Sequence, residues 1–458
     1  MSTVLAAISL LIFAFLCFKA LYRPWWASVL VLSYIAYEQF LVSYFTVLAR
    51  HSYILNITAG LVALSSVMVA ILNGRRPYQG YFNLNTILVG LLYALAIFGV
   101  SYSMMPAAGM YFIRQGIPVA GLMLVILPLL VDSMDHIRKM SVPLMLIGCS
   151  LVTLVLISPR TQIYGARLFI EYSQTMGSKD DRGNPLALAE LGGLMILFAT
   201  LMEPQRFVGL TNLLRTLSII LGVSIAFLVG SRGQLVFAIA LAVMLYPLSH
   251  SVRDIKQFFV RAGAIGIFGI IMAVIAKVFL ASSVSSQRFT ADDISVGLQG
   301  RMYFATSMLN EYVANPAYYL QGLGTGSFNA IVRHGGVGYL YPHNLIIEVL
   351  THHGMIGFTL LMGIFAMTGY HLYKLWRLAM KGIVDRSAVA ILLAFTFYLT
   401  LLSMKQGSFI LIPIPFYAYL ISSKLAIQKR AELAHDIYGD ECAEYEYDWE
   451  EYGERAPV

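Results

Sequence analysis

The sequence predicts an all-α polytopic membrane protein with 12 or 13 transmembrane helices and a large, partly helical outer loop before the last three of them. Three observations predict this class. Of the 458 residues, 59% are hydrophobic and only 12% are charged, whereas soluble domains carry about twice that charged fraction. Apolar runs long enough for a membrane span recur along the chain, and basic residues recur in alternate connections between them.

Thirteen apolar runs reach or approach the roughly 17–25 residues of a membrane-spanning helix. They cover residues 3–18, 25–48, 53–72, 84–102, 115–131, 141–158, 186–202, 212–230, 233–249, 258–281, 354–374, 387–404 and 409–423. No basic segment precedes the first run and more spans follow it, so we expect a retained span rather than a signal peptide.

Basic residues sort the connections into two sets. They lie in alternate short connections, at Lys19, Arg23, Arg75, Arg76, Arg138, Lys139, Arg206, Arg253, Lys256, Lys374, Arg377, Lys381, Arg386, Lys424, Lys429 and Arg430. The positive-inside rule places that side in the cytoplasm. The outer stretches are then 50–52, 103–114, 159–185, 231–232 and 282–343.

The number of spans stays open between two values. Thirteen spans with a cytoplasmic C-terminus put the N-terminus outside, whereas twelve put both termini inside. The run at 409–423 is interrupted by Pro413 and Pro415, and the adjacent runs over 25–72 are the other place where one run need not span.

This pattern divides the chain into four parts. They are a transmembrane bundle over 1–281 with the outer loop 159–185, an outer loop over 282–343, transmembrane helices over 344–430, and an acidic cytoplasmic tail over 431–458. The tail holds ten of the 24 acidic residues and one basic residue, and such charge with few aliphatic residues predicts disorder. The remaining excess of basic residues fits inner connections, and no part of the chain resembles a nucleic-acid-binding domain.

The sequence lacks the familiar catalytic motifs. It has no Walker A sequence, HExxH, kinase set or G-x-S-x-G elbow. Its three cysteines, Cys17, Cys149 and Cys442, give no disulfide framework or zinc pattern. Asp292 and Asp293 are adjacent, which suits metal chelation poorly. We therefore expect a metal-independent mechanism without cofactors.

The outer loop over 282–343 is too long to be a simple turn, and loops of this length are usually functional or disordered. Ala305, Met308, Leu309 and Tyr312 have helical spacing, which predicts a helix lying on the membrane surface. We expect any catalytic chemistry in this loop.

Two arginines at the outer face are candidates for binding an anion. Arg232 lies in a break at 231–234 between apolar runs, where an arginine marks either a ligand path or a snorkelling anchor. Arg301 follows Gly300 at the predicted start of the loop helix, where a cation opposes the helix macrodipole by about 0.3–1 kcal/mol. An anion bound beside the free N–H groups explains that placement; an ordinary solvated arginine is the alternative.

His343 is the candidate general base. It lies in Tyr341-Pro342-His343-Asn344, directly before the apolar run that opens with Leu345. The proline favours an extended backbone before it, so we expect His343 beside a helix N-terminus, whose positive end keeps the imidazole neutral. A neutral imidazole can accept a proton, and N-capping or packing is the alternative role.

Other residues of the two outer loops are candidates for contact with the substrate. Glycines 322, 324 and 326 allow tight turns and close backbone approach to a ligand. Arginines of the loop 159–185 help to hold phosphate or are solvated loop charges. The candidate substrate-binding residues are Arg160, Arg167, Arg182, Tyr341, Asn344, Gly324 and Gly326.

Together these motifs resemble the O-antigen ligase/polymerase superfamily of bacterial envelope glycosyltransferases. The resemblance rests on Ser-Arg-Gly at 231–233, Gly-Arg at 300–301, Asn-Pro at 315–316, the glycine turn 322–326, Pro-His-Asn at 342–344, Glu348, Gly354 and Gly357. Their order and spacing match as well as their residue types. Gly-Asn-Pro at 183–185, after Arg167, is similar to the family's earlier outer loop.

The resemblance implies a metal-independent, inverting transfer of a glycan from undecaprenyl pyrophosphate to an acceptor sugar, at the periplasmic face of the bacterial inner membrane. Arg232 and Arg301 would stabilise charge on the leaving pyrophosphate, because the guanidinium fork matches phosphate oxygens. His343 would deprotonate or orient the attacking hydroxyl. The resemblance also implies twelve spans with both termini in the cytoplasm.

The acceptor distinguishes the branches of the family. A ligase uses lipid A–core oligosaccharide in lipopolysaccharide biosynthesis, a polymerase uses another lipid-linked repeat unit, and a third branch modifies protein hydroxyls. The long loop near the C-terminus, with about three spans after it, resembles the ligase branch. A carrier or flippase of lipid-linked sugars is the alternative from another class, but the sequence shows no similarity between its halves.

Overall fold

The computed structural model of the chain describes residues 2–51, 53–164, 167–172, 184–203, 207–250, 291–332 and 340–438, with residues 256 and 263 singly. Over these residues the fold is helical, apart from one two-stranded hairpin. This agrees with the all-α class that the composition predicts.

The first part of the described chain contains eight helices and the hairpin. The helices are α1 (Ser2–Tyr22), α2 (Pro24–Tyr44), α3 (Thr46–Arg50), α4 (Tyr53–Leu72), α5 (Leu84–Phe98), α6 (Pro106–Ala120), α7 (Leu127–Leu130) and α8 (Met134–Ile157). A π-helical segment, Gly121–Ile126, joins α6 to α7. Strands β1 (Thr161–Tyr164) and β2 (Arg167–Ile170) pair antiparallel, so the outer loop 159–185 contains strands that its sequence did not predict.

Nine helices follow in the second part of the described chain. They are α9 (Pro185–Leu201), α10 (Val208–Leu228), α11 (Arg232–Ser249), α12 (Ala291–Ala314), α13 (Tyr318–Gln321), α14 (Phe328–Ile331), α15 (Leu345–Met380), α16 (Arg386–Ser403) and α17 (Ile414–Tyr438). Three of these helices begin at a side-chain cap, because Asn184, Asn344 and Asp385 accept hydrogen bonds from N–H groups of the first turn.

Within the described ranges, nine helices are long and apolar enough to cross a membrane. They are Thr3–Tyr22, Pro24–Tyr44, Tyr53–Leu72, Pro106–Leu130, Met134–Ile157, Val208–Leu228, Arg232–Ser249, Leu345–Met380 and Arg386–Ser403. Leu84–Phe98 and Pro185–Leu201 are apolar but shorter. The predicted run at 258–281 lies outside the described residues, and the run at 409–423 is divided between a turn and the start of α17. These helices indicate a multi-pass membrane protein, while the choice between 12 and 13 spans stays a prediction.

Three connections beside which basic residues lie meet at one end of the bundle, as the alternation of basic residues predicts. Arg75, after α4, lies 3.6 Å from Asp132, and Arg138 lies 3.2 Å from Asp385. These ion pairs join the connections that follow α4, α7 and α15. The connections predicted to be outside carry the candidate site, and the membrane side that each end faces stays a prediction.

Helix α15 contains 36 residues and is interrupted at Gly354, which has φ 62° and ψ −160°. Such a break leaves carbonyl groups of the preceding turn without helical partners. The Leu323 N–H donates to the Thr351 carbonyl at 2.8 Å, and the Gly324 N–H donates to the His352 carbonyl at 2.9 Å. The break therefore anchors the glycine-rich turn against α15.

Helix α12 begins at Ala291, so the predicted helix start at Gly300 and Arg301 is wrong. Arg301 lies ten residues after the first residue of α12, and free N–H groups of a helix N-terminus do not surround it. The prediction placed Gly300 before the helix, but a glycine inside a helix costs only about 1 kcal/mol relative to alanine. The helix continues through Gly297 and Gly300.

The apolar stripe of α12 packs against the protein, and the position of this helix on a membrane surface stays a prediction. Met308 and Tyr312 are buried in one cluster with Leu323, Phe328 and Val332. The chain that follows α12 folds back and covers the stripe, which the spacing of apolar residues alone does not reveal.

Helix α17 extends through residues 431–438, which the prediction placed in a disordered tail. Lys429 and Glu432 form an ion pair of 3.0 Å across one helical turn, and Leu433 packs against the core. The tail boundary therefore moves beyond this helix. Residues 439–458, including Cys442, lie outside the described residues.

Candidate functional site

The connection between α16 and α17, residues 404–413, reaches the starts of α9 and α11. The Lys405 ammonium donates to the Ser231 hydroxyl at the start of α11, at 3.4 Å. The Gln406 side-chain amide donates to the Glu190 carboxylate, in the second turn of α9, at 3.5 Å. Three parts of the chain that are distant in sequence therefore meet at this end of the bundle.

The same connection is bonded to the first turn of α15 through a buried carboxyl group. Glu348 is only 1% exposed. It accepts hydrogen bonds from the Ser408 hydroxyl and, at 3.2 Å, from the Phe409 N–H. These bonds hold the connection against the helical turn that follows His343.

Arg232 is the first residue of α11 and does not lie in a break. The turn precedes it, where Gly230 has φ 69° and Ser231 is the N-cap. A Cβ on Gly297 would lie 4.0 Å from Arg232 Nη2, so the guanidinium lies beside α12. Since Gly297 and Arg301 are four residues apart, they share one face of α12, and Arg232 lies on the side that carries Arg301.

His343 directly precedes α15, as predicted. Its φ is 58°, a left-handed conformation that costs about 1–2 kcal/mol for a residue with a Cβ. The ring centroid lies 4.4 Å from that of Tyr341 and 6.2 Å from that of Phe304. Phe304 and Arg301 are three residues apart on α12 and share a face, so the imidazole lies against the same face as the arginine.

The surroundings of His343 keep its imidazole neutral. Burial, and then the positive charge of Arg301, lower the pKa of His343 from 6.5 to about 4. The neutral form is as predicted, but the cause is burial and a neighbouring cation rather than the helix N-terminus. An anion that offsets the charge of Arg301 would raise this pKa.

Tyr341 contacts both His343 and the connection 404–413. Burial, and then the negative charge of Glu348, raise the pKa of the Tyr341 phenol, while a hydrogen bond from the Gly407 N–H opposes the rise. The hydroxyl therefore stays protonated at neutral pH. It lies beside the imidazole and can donate to a bound ligand.

Lys405 is a site residue that the sequence analysis missed. Burial, and then the charges of Arg301 and Arg167, lower its pKa to about 8, Glu190 opposes this effect, and Arg232 adds to it. The four cations therefore lie close enough to interact, and we call them the cation cluster. No motif marks Lys405. The one available signal is a basic residue in a connection that the positive-inside rule places outside.

For three of the predicted substrate-binding residues, the structure describes no contact with the cation cluster. The Arg160 guanidinium lies 5.8 Å from the centroid of the Tyr44 ring. The Asn344 side chain accepts a hydrogen bond from the Ile347 N–H at 3.1 Å and caps α15. Arg182 lies outside the described residues.

Gly324 and Gly326 make their close approach to the protein's own backbone. Their φ values are 88° and 87°. A Cβ on Gly324 would meet the backbone of Ser103, and one on Gly326 would meet that of Gly109. The predicted tight turn is present, and it packs on the connection between α5 and α6 and on the first turn of α6.

A neutral imidazole thus lies beside a cluster of cations drawn from four separate elements. This arrangement suits binding of an anion next to a hydroxyl that loses its proton. Among the residues that the structure describes, no group of three or more His, Cys, Asp or Glu side chains is placed to hold a metal ion. No protein-family model matches the sequence, and no curated protein is significantly similar to it.

Proposed function

We propose that the protein is a membrane glycosyltransferase that moves a glycan from a polyprenyl pyrophosphate to an acceptor hydroxyl. One observation carries the proposal: His343 is held neutral beside Arg301, and Arg301 belongs to the cation cluster. A proton acceptor next to an anion site supports a reaction in which a hydroxyl attacks while a phosphate group leaves.

In the proposed reaction, the acceptor oxygen attacks the anomeric carbon from the face opposite to the pyrophosphate. The new glycosidic C–O bond forms as the anomeric C–O bond to phosphate breaks, and the electron pair of that bond leaves with the pyrophosphate. The configuration inverts, and the hydroxyl proton passes to the unprotonated ring nitrogen of His343. The cation cluster stabilises the leaving pyrophosphate, which reduces the need for a general acid.

Donor binding also improves His343 as a base. Burial, together with the charge of Arg301, holds its pKa near 4, whereas a general base works best with a pKa near the working pH. A pyrophosphate beside Arg301 offsets the guanidinium charge and raises the pKa of His343. The imidazole therefore gains proton affinity when the donor is in place.

We further propose undecaprenyl-pyrophosphate-linked O-antigen as the donor and lipid A–core oligosaccharide as the acceptor, at the periplasmic face of the bacterial inner membrane. The activity would then be that of an O-antigen ligase in lipopolysaccharide biosynthesis. This step is supported by the order of motifs over residues 230–360 and by the long loop before the last helices. Polymerisation of lipid-linked repeat units and transport of lipid-linked sugars are the outcomes against which it is tested.

Transfer by the purified full-length protein tests the proposal. The reaction contains the lipid-linked glycan and lipid A–core, with and without EDTA. We expect a lipid A–core product under both conditions, and none from His343→Ala or Arg301→Ala. His51→Ala and Arg50→Ala are matched controls, because both residues are exposed and belong to a connection predicted to lie on the same side.

Each outcome separates the alternatives. Longer lipid-linked chains without the lipid A–core product would assign the protein as a polymerase. No transfer by the folded wild-type protein would contradict glycosyl transfer and favour a carrier. Wild-type rates in both His343→Ala and Arg301→Ala would refute the role of this site.

A further inference from the structure

A cavity of about 380 Å³ lies at the end of the bundle opposite to the candidate site. The connection after α4, the start of α8 and helix α17 surround it. A second cavity, of about 220 Å³, shares Asp132, Gln428 and Glu432 with it. Asp385 lines this second cavity and precedes α16, whereas the connection 404–413 follows α16. The larger cavity has the size of a small-molecule site, roughly 300–1,000 Å³, and it is separate from the cation cluster.

The larger cavity lies at the ends of two helices that are long and apolar enough to cross a membrane. Arg75 and Arg76 follow the last residue of α4 by three and four residues, and Ser133 directly precedes α8. In the same connection as the arginines, Tyr78 and Phe82 are 51% and 82% exposed. Exposed aromatic rings are enriched where a bilayer meets water, so we expect this cavity to open at the level of the lipid headgroups.

One wall of the larger cavity carries two arginines. Arg75 Nη1 lies 3.6 Å from Asp132, and the arginine side chain is still 47% exposed. Arg76 is exposed, and no ion pair joins it to a residue that the structure describes. Guanidinium groups bind phosphate oxygens through paired hydrogen bonds, so this wall suits a phosphate group.

The wall formed by α17 carries hydrogen-bond acceptors. Gln428 and Glu432 are four residues apart and share a helix face. Gln428 is only 7% exposed, and its amide oxygen is buried without a hydrogen-bond donor from the described chain. The Glu432 carboxylate pairs with Lys429 at 3.0 Å, and its side chain stays 57% exposed. Because a buried acceptor without a partner is costly, this wall suits a cation that donates hydrogen bonds.

Packing beside the cavity fixes the distance between its walls. A Cβ on Gly80 would lie 2.9 Å from the Lys424 carbonyl oxygen and 3.0 Å from Gln428 Cγ, so the connection after α4 lies directly on α17. The Lys424 ammonium donates to the carbonyls of Pro128 and Val131, at 2.8 Å each. These contacts do not involve the arginines or Glu432, so the walls are held in place before a ligand binds.

We propose that the larger cavity binds the headgroup of a phosphatidylethanolamine. The phosphate lies against Arg75 and Arg76, and the primary ammonium donates to Glu432 and to the amide oxygen of Gln428. A choline headgroup has the same charges but no N–H group, and a glycerol headgroup has no cation, so each of them suits one wall only. The site lies at the other end of the bundle from the proposed glycosyl transfer and does not depend on it.

Native mass spectrometry of the full-length protein in neutral detergent measures its affinity for added lipids with identical acyl chains. We expect phosphatidylethanolamine to bind about tenfold more tightly than phosphatidylcholine or phosphatidylglycerol, because only its ammonium donates to the buried acceptor. Gln428→Leu should lower the affinity for phosphatidylethanolamine to that for phosphatidylcholine, which should not change. Arg76→Gln loses a charged hydrogen bond to phosphate and should weaken the binding of both lipids by about tenfold. Arg377→Gln is the control, since Arg377 is exposed at the same end of the bundle and lines neither cavity.

Equal affinity of the wild type for phosphatidylethanolamine and phosphatidylcholine would overturn the proposal, as would an unchanged preference in Gln428→Leu. Tighter binding of phosphatidylglycerol would assign the cavity to anionic lipids and overturn the choice of headgroup. Glycerophosphoethanolamine has the same headgroup without acyl chains, and its binding as tightly as the lipid would overturn a membrane source for the ligand. The comparisons on the wild type need no substitution, so they decide the matter if a variant does not fold.

Discussion

Replacement of Arg301 by alanine is expected to raise the pKa of His343. Burial is the larger cause and Arg301 the second cause of its decrease from 6.5 to about 4. Because Arg301 accounts for less than half of that decrease, its removal should bring the pKa of His343 to no higher than about 5. A difference of 1 in the pKa corresponds to about 1.4 kcal/mol of repulsion between the guanidinium and the imidazolium. In Arg301→Ala, protonation of His343 should therefore begin at a higher pH.

NMR of protein with ¹³C-labelled histidine rings measures this pKa, and His343→Gln identifies its signal among the nine histidines. Arg50→Ala, which removes an exposed arginine of α3, should leave the pKa near 4. Pyrophosphate added to the wild type should raise it, because the anion offsets Arg301. A pKa that stays near 4 or falls in Arg301→Ala would refute the reasoning, and a rise to 6.5 would show that burial is not the larger cause.

Three further changes test the contacts that position the site. Glu348→Ala leaves the Ser408 hydroxyl without its acceptor and should lower the free energy of unfolding by about 1–3 kcal/mol. Thermal unfolding in detergent should show a lower midpoint, and an unchanged midpoint would contradict this. Gly354→Ala puts a side chain against the end of α13 at a backbone φ of 62°, so size-exclusion chromatography should show little folded protein. The control Gly369→Ala, in the same helix, places its methyl group in open space and should fold normally. Asn344→Ala removes a helix cap and should cost about 1 kcal/mol, while Asn344→Ser should retain stability and transfer; retained stability without transfer would show a role beyond capping.

The sequence predicts most of the helices because one physical requirement controls both composition and length. A bilayer demands about 20 apolar residues per helix, and runs such as 53–72 and 387–404 match α4 and α16 closely. The position of His343 before α15 is also predictable, since Pro342 and Asn344 are local signals of a helix start. These predictions succeed because the information lies within a few residues.

The cation cluster required information that no local pattern contains. Lys405 is a single basic residue in a short connection, and its importance comes from Arg167, Arg232 and Arg301, which belong to three other elements. The start of α12 was also mispredicted, because Gly300 resembles the residue before a helix although the helix begins at Ala291. Packing between distant connections therefore determines which of the candidate residues form a site.

The break in α15 explains how one helix serves both the membrane and the site. Residues 355–380 number 26 and span about 39 Å at about 1.5 Å per residue, which alone exceeds the hydrocarbon core of about 30 Å. The segment before Gly354 is therefore not needed to cross the bilayer. It carries Glu348 and is fixed by the glycine-rich turn and by the connection 404–413. In the proposed reaction the polyprenyl tail stays in lipid and the glycan stays in water, so the pyrophosphate must lie at their boundary, and we expect His343 to lie there as well.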